Sequence, residues 1–183
     1  RVFLYSLSSL HAEWIWILWV LAILTMTLGN IVAIAQKNIK RMLAYSSIAH
    51  AGYILVAMVA ANELGTAGIL YYLLAYAFMN LGAFGVVILY GRTGEENLLI
   101  DDYSGMGSKY PLLAALMAVF MFSLAGIPPT AGFVGKFYIF SAAVKAGYIG
   151  LAVIGVLNSA LSVYFYLRVT VMMYMRNAEK DLP

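Results

Sequence analysis

Five long apolar stretches, parted by short polar turns, set the pattern of this chain. They run from about Glu13 to Gln36, Met42 to Ala61, Thr66 to Tyr90, Tyr110 to Lys145 and Tyr148 to Met175. Each can span the roughly 30 Å of hydrocarbon in a bilayer, which takes about 20 helical residues. The pattern predicts an all-α integral membrane protein with five transmembrane helices. Trp14, Trp16 and Trp19, near the start of the first, suit an interfacial aromatic belt. The basic turn Lys37-Asn38-Ile39-Lys40-Arg41 parts the first two helices. A polar loop from Gly91 to Ser108, carrying Glu95, Glu96, Asp101 and Asp102, follows the third. Residues 1–12 read as the end of a preceding helix with its loop, without the apolar core of a signal peptide. Residues 176–183 read as a cut tail, so a piece of a longer protein is expected.

The fourth stretch departs from the pattern. Its 36 residues, Tyr110 to Lys145, would make a straight helix about 54 Å long. That is too long for one crossing and too short for two with a turn. Pro128 and Pro129 remove two amide donors and disfavour helix at the residues before them, and Gly126 and Gly132 flank them. One crossing made of two half-helices is predicted, broken near 126–132, with Lys136 at the start of the second half. Lys136 is the only formally charged residue between Tyr110 and Ala143. A lone ammonium at bilayer depth costs about 2.5–3.5 kcal/mol on insertion scales. An ionisable residue beside an interrupted helix is how transporters present charge and backbone to an interior site. The bland alternative is a lysine snorkelling to the membrane edge. Lys145 lies nine residues further on, about 13–14 Å along a helix, and a lysine stem covers only part of that distance.

Composition agrees with the membrane class. The chain is 64% hydrophobic and 10% charged, where soluble domains are about 25% charged. With no cysteine there is no disulfide, thiolate metal site or thiol nucleophile. The net charge of +3 is spread along the turns and does not suggest nucleic acid. It reads instead as orientation. Lys37, Lys40, Arg41, Arg92, Lys109, Arg176 and Lys180 fall on one side of a five-helix topology, and Arg1 and Lys145 on the other. Excess lysine and arginine marks residues 37–41, 91–109 and the C-terminus as cytoplasmic.

Other polar residues lie inside the spans. Ser46 and His50 share a face of the second helix, with Tyr45 and Ser47 beside them. His50 reads either as a proton-relay stop or as a neutral imidazole tying helices together. Tyr76 and Asn80 are similarly spaced on the third helix. Asn80 reads as interhelical glue or a contact for relay water, since an amide does not titrate. Asn158 and Ser162 share a face of the fifth helix, and Arg168 reads as snorkelling to the cytoplasmic interface. Lys145 reads as an anchor at the opposite interface. Gly82, Gly85, Ala114 and Ala118 read as close-packing positions. No nucleotide-binding glycine loop, His-Glu metal motif or catalytic triad is present.

Two motifs carry a resemblance. The first is Asn38-Ile39-Lys40-Arg41-Met42-Leu43-Ala44-Tyr45-Ser46-Ser47-Ile48-Ala49-His50-Ala51-Gly52-Tyr53. The second is Ser123-Leu124-Ala125-Gly126-Ile127-Pro128-Pro129-Thr130-Ala131-Gly132-Phe133-Val134-Gly135-Lys136-Phe137-Tyr138. With them the chain resembles the antiporter-like membrane subunits of the proton-pumping NADH–quinone oxidoreductase, respiratory complex I. Likeness to the subunit N family rests on Leu81-Gly82-Ala83-Phe84-Gly85 and on Lys136 before Phe137. Asn80 adds to it, since related subunits carry lysine or histidine on that helix. Similarity extends over nearly the whole chain, including Asn158-Ser159 and Tyr166-Leu167-Arg168.

The resemblance implies one five-helix antiporter-like repeat at about 13–175, the second of two inverted repeats, with the family's broken-helix lysine on Lys136. It implies a multi-pass protein of the bacterial inner membrane that moves protons, coupled electrostatically to quinone reduction elsewhere. It implies no cofactor on this chain, with NAD, flavin, iron–sulfur clusters and quinone in other subunits. The implied partners are the other membrane subunits, including antiporter-like paralogues, the bilayer, protons and internal water. Two other readings stay open: a membrane subunit of a multisubunit cation/proton antiporter, and a structural membrane subunit without proton transfer.

Overall fold

A computed structural model of the chain describes residues 11–91 and 97–177. Arg1, Arg92, Glu95, Glu96 and Lys180, which entered the charge count, lie outside the described residues, as do the segments 1–10 and 178–183. The fold is nearly all helical: α1 (His11–Ala35), α2 (Ile39–Ala60), α3 (Glu63–Gly91), the short α4 (Met106–Lys109), α5 (Pro111–Ala125), α6 (Ala131–Lys145) and α7 (Ile149–Met175). A 3-10 turn at Ile100–Tyr103 precedes α4. Helices α1, α2, α3 and α7 are long and apolar enough to cross a membrane. The fourth crossing is discontinuous, made of the 15-residue helices α5 and α6.

Local chemistry sets the helix ends. Asn38 caps α2 by accepting from the Arg41 amide at 3.1 Å, and Pro111 opens α5, where its missing N–H is not needed. At the close of α5, Gly126 sits at φ +82°, a left-handed conformation open to glycine at little cost. Its amide donates to the carbonyls of Phe122 and Ser123, both at 3.1 Å. Pro128 and Pro129, joined by a cis peptide bond, keep the turn from continuing as helix. Thr130 caps α6 by accepting from the Phe133 amide at 3.5 Å.

The turn at 37–41 and the loop at 97–109 lie together at one end of the bundle. The Ile39 amide donates to the Leu98 carbonyl and the Ile100 amide to the Lys37 carbonyl, each at 2.9 Å. The loop is more than the polar linker expected from its acids. Ile100, Tyr103 and Met106 are buried and join the apolar cluster at this end, so the segment seals the bundle. At the opposite end the Asn62 side chain donates to the Ala142 carbonyl at 2.9 Å, fixing the α2–α3 turn on α6.

Packing divides the interior into two apolar clusters. One holds Ala33, Met42, Leu43, Met79, Met121, Phe165 and Tyr166, near the end formed by the two loops. The other holds Ala22, Met26, Tyr53, Val56, Tyr72, Ile139 and Ala152, toward the opposite end. Of the two glycines read as packing positions on α3, only Gly82 is one: a Cβ there would strike the Phe120 ring. The expectation for Gly85 is corrected, because a Cβ there would meet no atom of the chain within 4 Å. Ala114 and Ala118 are buried between helices.

Candidate functional site

Between the two apolar clusters runs a layer of buried polar side chains: Asn30, Ser46, His50, Ser123, Lys136, Asn158 and Ser162. On α1, α2 and α7 these residues fall at the level where the helix's buried apolar positions change cluster. Asn30 follows Met26 and precedes Ala33 on α1, and His50 lies between Leu43 and Tyr53 on α2.

Lys136 is the centre of this layer. It lies in the second turn of α6 and is only 4% exposed. Its ammonium donates to the carbonyls of Leu124 at 3.2 Å and Ala125 at 3.0 Å, and to the Ser159 hydroxyl at 2.9 Å. Those two carbonyls close α5, where the helix ends without further residues to bond them. A cation at a helix C-terminus is favoured by about 0.3–1 kcal/mol in exposed settings, and by more when partly buried. The broken helix thus supplies the lysine's acceptors, and protein rather than open solvent satisfies the unwound backbone. The Tyr53 ring lies under the ammonium, 5.0 Å from Nζ to the ring centroid, a cation–π contact. Gly126 is required twice here: beyond its positive φ, a Cβ would stand 3.0 Å from Lys136 Cδ and 3.2 Å from Nζ. Ser123 completes the joint by accepting from the Gly132 amide at 3.2 Å.

His50 ties three helices. Its Nδ1 lies 2.5 Å from the Tyr72 hydroxyl of α3, and its Nε2 2.9 Å from the Tyr166 hydroxyl of α7. A neutral imidazole has one donor and one acceptor nitrogen, so one tyrosine donates to it and the other accepts. Both nitrogens are engaged. Tyr53 is edge-on to the imidazole at 5.7 Å, so it touches both His50 and Lys136. Ser46 and Ser47 turn back onto their own helix and donate to the Leu43 carbonyl, at 2.7 and 2.9 Å, while Tyr76 donates to Ser47 at 2.7 Å.

Asn158 has a partner that sequence reasoning missed. Asn30 is fully buried on α1, and its amide donates to the Asn158 backbone carbonyl at 3.0 Å and to Asn158 Oδ1 at 3.2 Å. Asn80 forms no interhelical hydrogen bond among the described residues, and its Oδ1 is buried without a partner beside the apolar cluster around Met79 and Ala83. Arg168 donates to the Gln36 carbonyl at 3.3 Å, tying α7 to the end of α1 beside the turn at 37–41. Lys145 is exposed at the end of α6. Among the described residues no group of three or more His, Cys, Asp or Glu side chains could hold a metal ion.

Membrane-length helices, a crossing broken at paired prolines and a buried lysine bonded to the break define an antiporter-like membrane protein. A family model described as NADH:quinone oxidoreductase/Mrp antiporter, TM, matches residues 1–162, and the chain belongs to that family. It is 61% identical to NADH-quinone oxidoreductase subunit N of Trichlorobacter lovleyi over 99% of this chain and 37% of that protein. It is similar to a chain in the structure of respiratory complex I from Thermus thermophilus with bound NADH, at 31% identity and a TM-score of 0.83, covering 94% of this chain and 37% of that one. A chain of the Mrp complex from Dietzia sp. DQ12-45-1b matches at 27% identity and a TM-score of 0.80, covering 88% and 30%. The chain thus spans about a third of the length of such relatives.

Proposed function

We propose that this chain is part of a proton-translocating membrane subunit of NADH–quinone oxidoreductase, in which Lys136 takes up and releases a proton in step with quinone reduction elsewhere in the complex. The observation that carries this reading is the lysine itself: buried at the middle of a broken crossing, with carbonyl and hydroxyl partners in place of a carboxylate. A lysine kept only for structure would be expected to face solvent or a fixed anion. The described carboxylates Glu63, Asp101 and Asp102 lie instead at a helix start or in the end loop. The 61% identity to a subunit N, against 27% to an Mrp complex chain, favours the redox-linked reading over the cation/proton antiporter. NAD, flavin, iron–sulfur clusters and quinone belong, on this reading, to other subunits, and the antiporter-like paralogues are neighbours in the membrane.

The test uses the full-length subunit in the assembled complex, in inverted membrane vesicles. Lys136→Ala should leave assembly intact and reduce NADH-driven acidification of the lumen to a small fraction of the parent's. Normal pumping by a fully assembled Lys136→Ala complex would sink the reading.

His50 is taken as a helix tie that can also pass a proton. In the same vesicles His50→Gln should assemble and pump near the parental rate, because an amide can donate to one tyrosine hydroxyl and accept from the other. A strong pumping loss with normal assembly would instead make His50 an obligatory relay. For topology, residues 37–41, 91–109 and the C-terminus are assigned to the cytoplasmic side of the inner membrane from their basic residues. Lys40→Cys should react with an impermeant maleimide in inverted vesicles and not in intact cells. The opposite pattern would reverse the orientation.

A further inference from the structure

We propose that Ser159 is the group through which Lys136 exchanges its proton. The proposal rests on the reading of Lys136 above and adds a second catalytic residue to it. Of the three oxygens bonded to Nζ, the carbonyls of Leu124 and Ala125 can only accept. They hold an ammonium well and offer no proton to a neutral amine. The Ser159 hydroxyl, 2.9 Å away, can accept from the ammonium and, after the proton has left, donate to the amine lone pair. It is the one of the three that serves both states.

Ser159 also leads somewhere. The Tyr53 hydroxyl lies 3.4 Å from Asn30 Nδ2, and the Tyr53 ring lies under the ammonium that Ser159 also bonds, so Tyr53 and Asn30 continue the polar layer beside the serine. In it Asn30 Oδ1 is fully buried and has no protein partner, while Nδ2 of the same amide is spent on Asn158. A buried acceptor of this kind suits a water molecule. The backbone behind Ser159 is pinned on both sides. Asn30 donates to the Asn158 carbonyl, and Ser162 donates to the Ser159 carbonyl at 2.6 Å. Asn30 is therefore a positioning residue: it sets the stretch of α7 that aims the hydroxyl at Nζ.

The step balances without charging the serine. An N–H bond of the ammonium breaks as its proton joins Ser159 Oγ. The serine's original O–H breaks in the same event, and its proton joins a water on the Tyr53–Asn30 side. Lys136 ends as a neutral amine, Ser159 as a neutral alcohol and the water as hydronium. The reverse sequence reloads the lysine.

The test uses the full-length subunit in the assembled complex, reconstituted in proteoliposomes with NADH and a soluble quinone. Ser159→Ala should cut proton pumping about tenfold at unchanged assembly, less than the roughly 10²–10⁴-fold of a lost general acid–base, because a water can partly stand in. The solvent deuterium isotope effect on turnover should exceed the parent's. Ser159→Thr should restore both, and Ser159→Val, of the same shape without the hydroxyl, should not. That pair decides the matter even if alanine disturbs packing. Parental pumping and isotope effect in Ser159→Ala, or equal losses in Thr and Val, would overturn the role of Ser159 while Lys136→Ala remained inactive. Normal pumping in Lys136→Ala would instead remove the reading beneath it.

Discussion

Lys136→Arg is expected to give an assembled complex that pumps at less than about a tenth of the parental rate. Arginine preserves the positive charge and enough donors for the carbonyls of Leu124 and Ala125, but it does not release a proton at accessible pH. If charge at the end of α5 were the whole contribution of Lys136, arginine would substitute. If the residue must alternate between ammonium and amine, arginine fails almost as completely as alanine. The two variants together separate these cases. The fit is tight, since the lysine stem passes the position where a Cβ on Gly126 would stand 3.0 Å from Cδ. Assembly is therefore measured on native gels before pumping is compared. An assembled Lys136→Arg complex that pumps normally would show that fixed charge suffices, and proton exchange at this lysine would have to be abandoned.

The broken crossing and its lysine were legible in the sequence because both violate local rules. Paired prolines cannot continue a helix, and an isolated ammonium in an apolar run has few cheap explanations. The polar groups around the lysine were harder to read, for a different reason. Tyrosine is at home in lipid, at an interface and in a polar interior. Neighbouring tyrosines show the difficulty: Tyr71 is 39% exposed while Tyr72 is fully buried against His50, and Tyr164 is 61% exposed while Tyr166 is fully buried. Nothing in the local sequence separates the members of each pair. Asn30 was missed because its significance lies in a contact with Asn158 at the far end of the chain. A polar residue within the span was the available signal, and its place beside Gly29, six residues before Gln36, made it resemble the approach to a turn. Asn80 is a different case. Helical spacing placed it near Tyr76, and its Oδ1 is buried beside the apolar residues Met79 and Ala83 with no hydrogen-bond partner among the described residues, so its contacts were not legible from spacing alone.

Gly132→Ala is expected to do the largest structural damage of any single methyl added at the described glycines. A Cβ at that position would overlap the Ser123 carbonyl oxygen, a backbone atom that cannot rotate away, with Met79 Sδ at 3.4 Å on the other side. Overpacking against side chains costs about 1–3 kcal/mol. Here two backbones must separate, so the cost should lie at or above the upper end of that range. The consequence reaches the site directly. Gly132 precedes Lys136 by four residues on the same face of α6, so pushing the start of α6 from the end of α5 draws the ammonium from the Leu124 and Ala125 carbonyls. It also loosens the bond between the Gly132 amide and Ser123 Oγ. Less assembled complex, lower heat stability in detergent and weak pumping by what remains are expected together. Gly85→Ala is the matched comparison. Its added methyl meets no atom of the chain within 4 Å, and alanine is better than glycine in a helix by about 1 kcal/mol, so that variant should assemble and pump like the parent. If Gly132→Ala matches Gly85→Ala in assembly and heat stability, the two half-helices do not meet as closely as described, and the placement of Lys136 against the end of α5 fails with them.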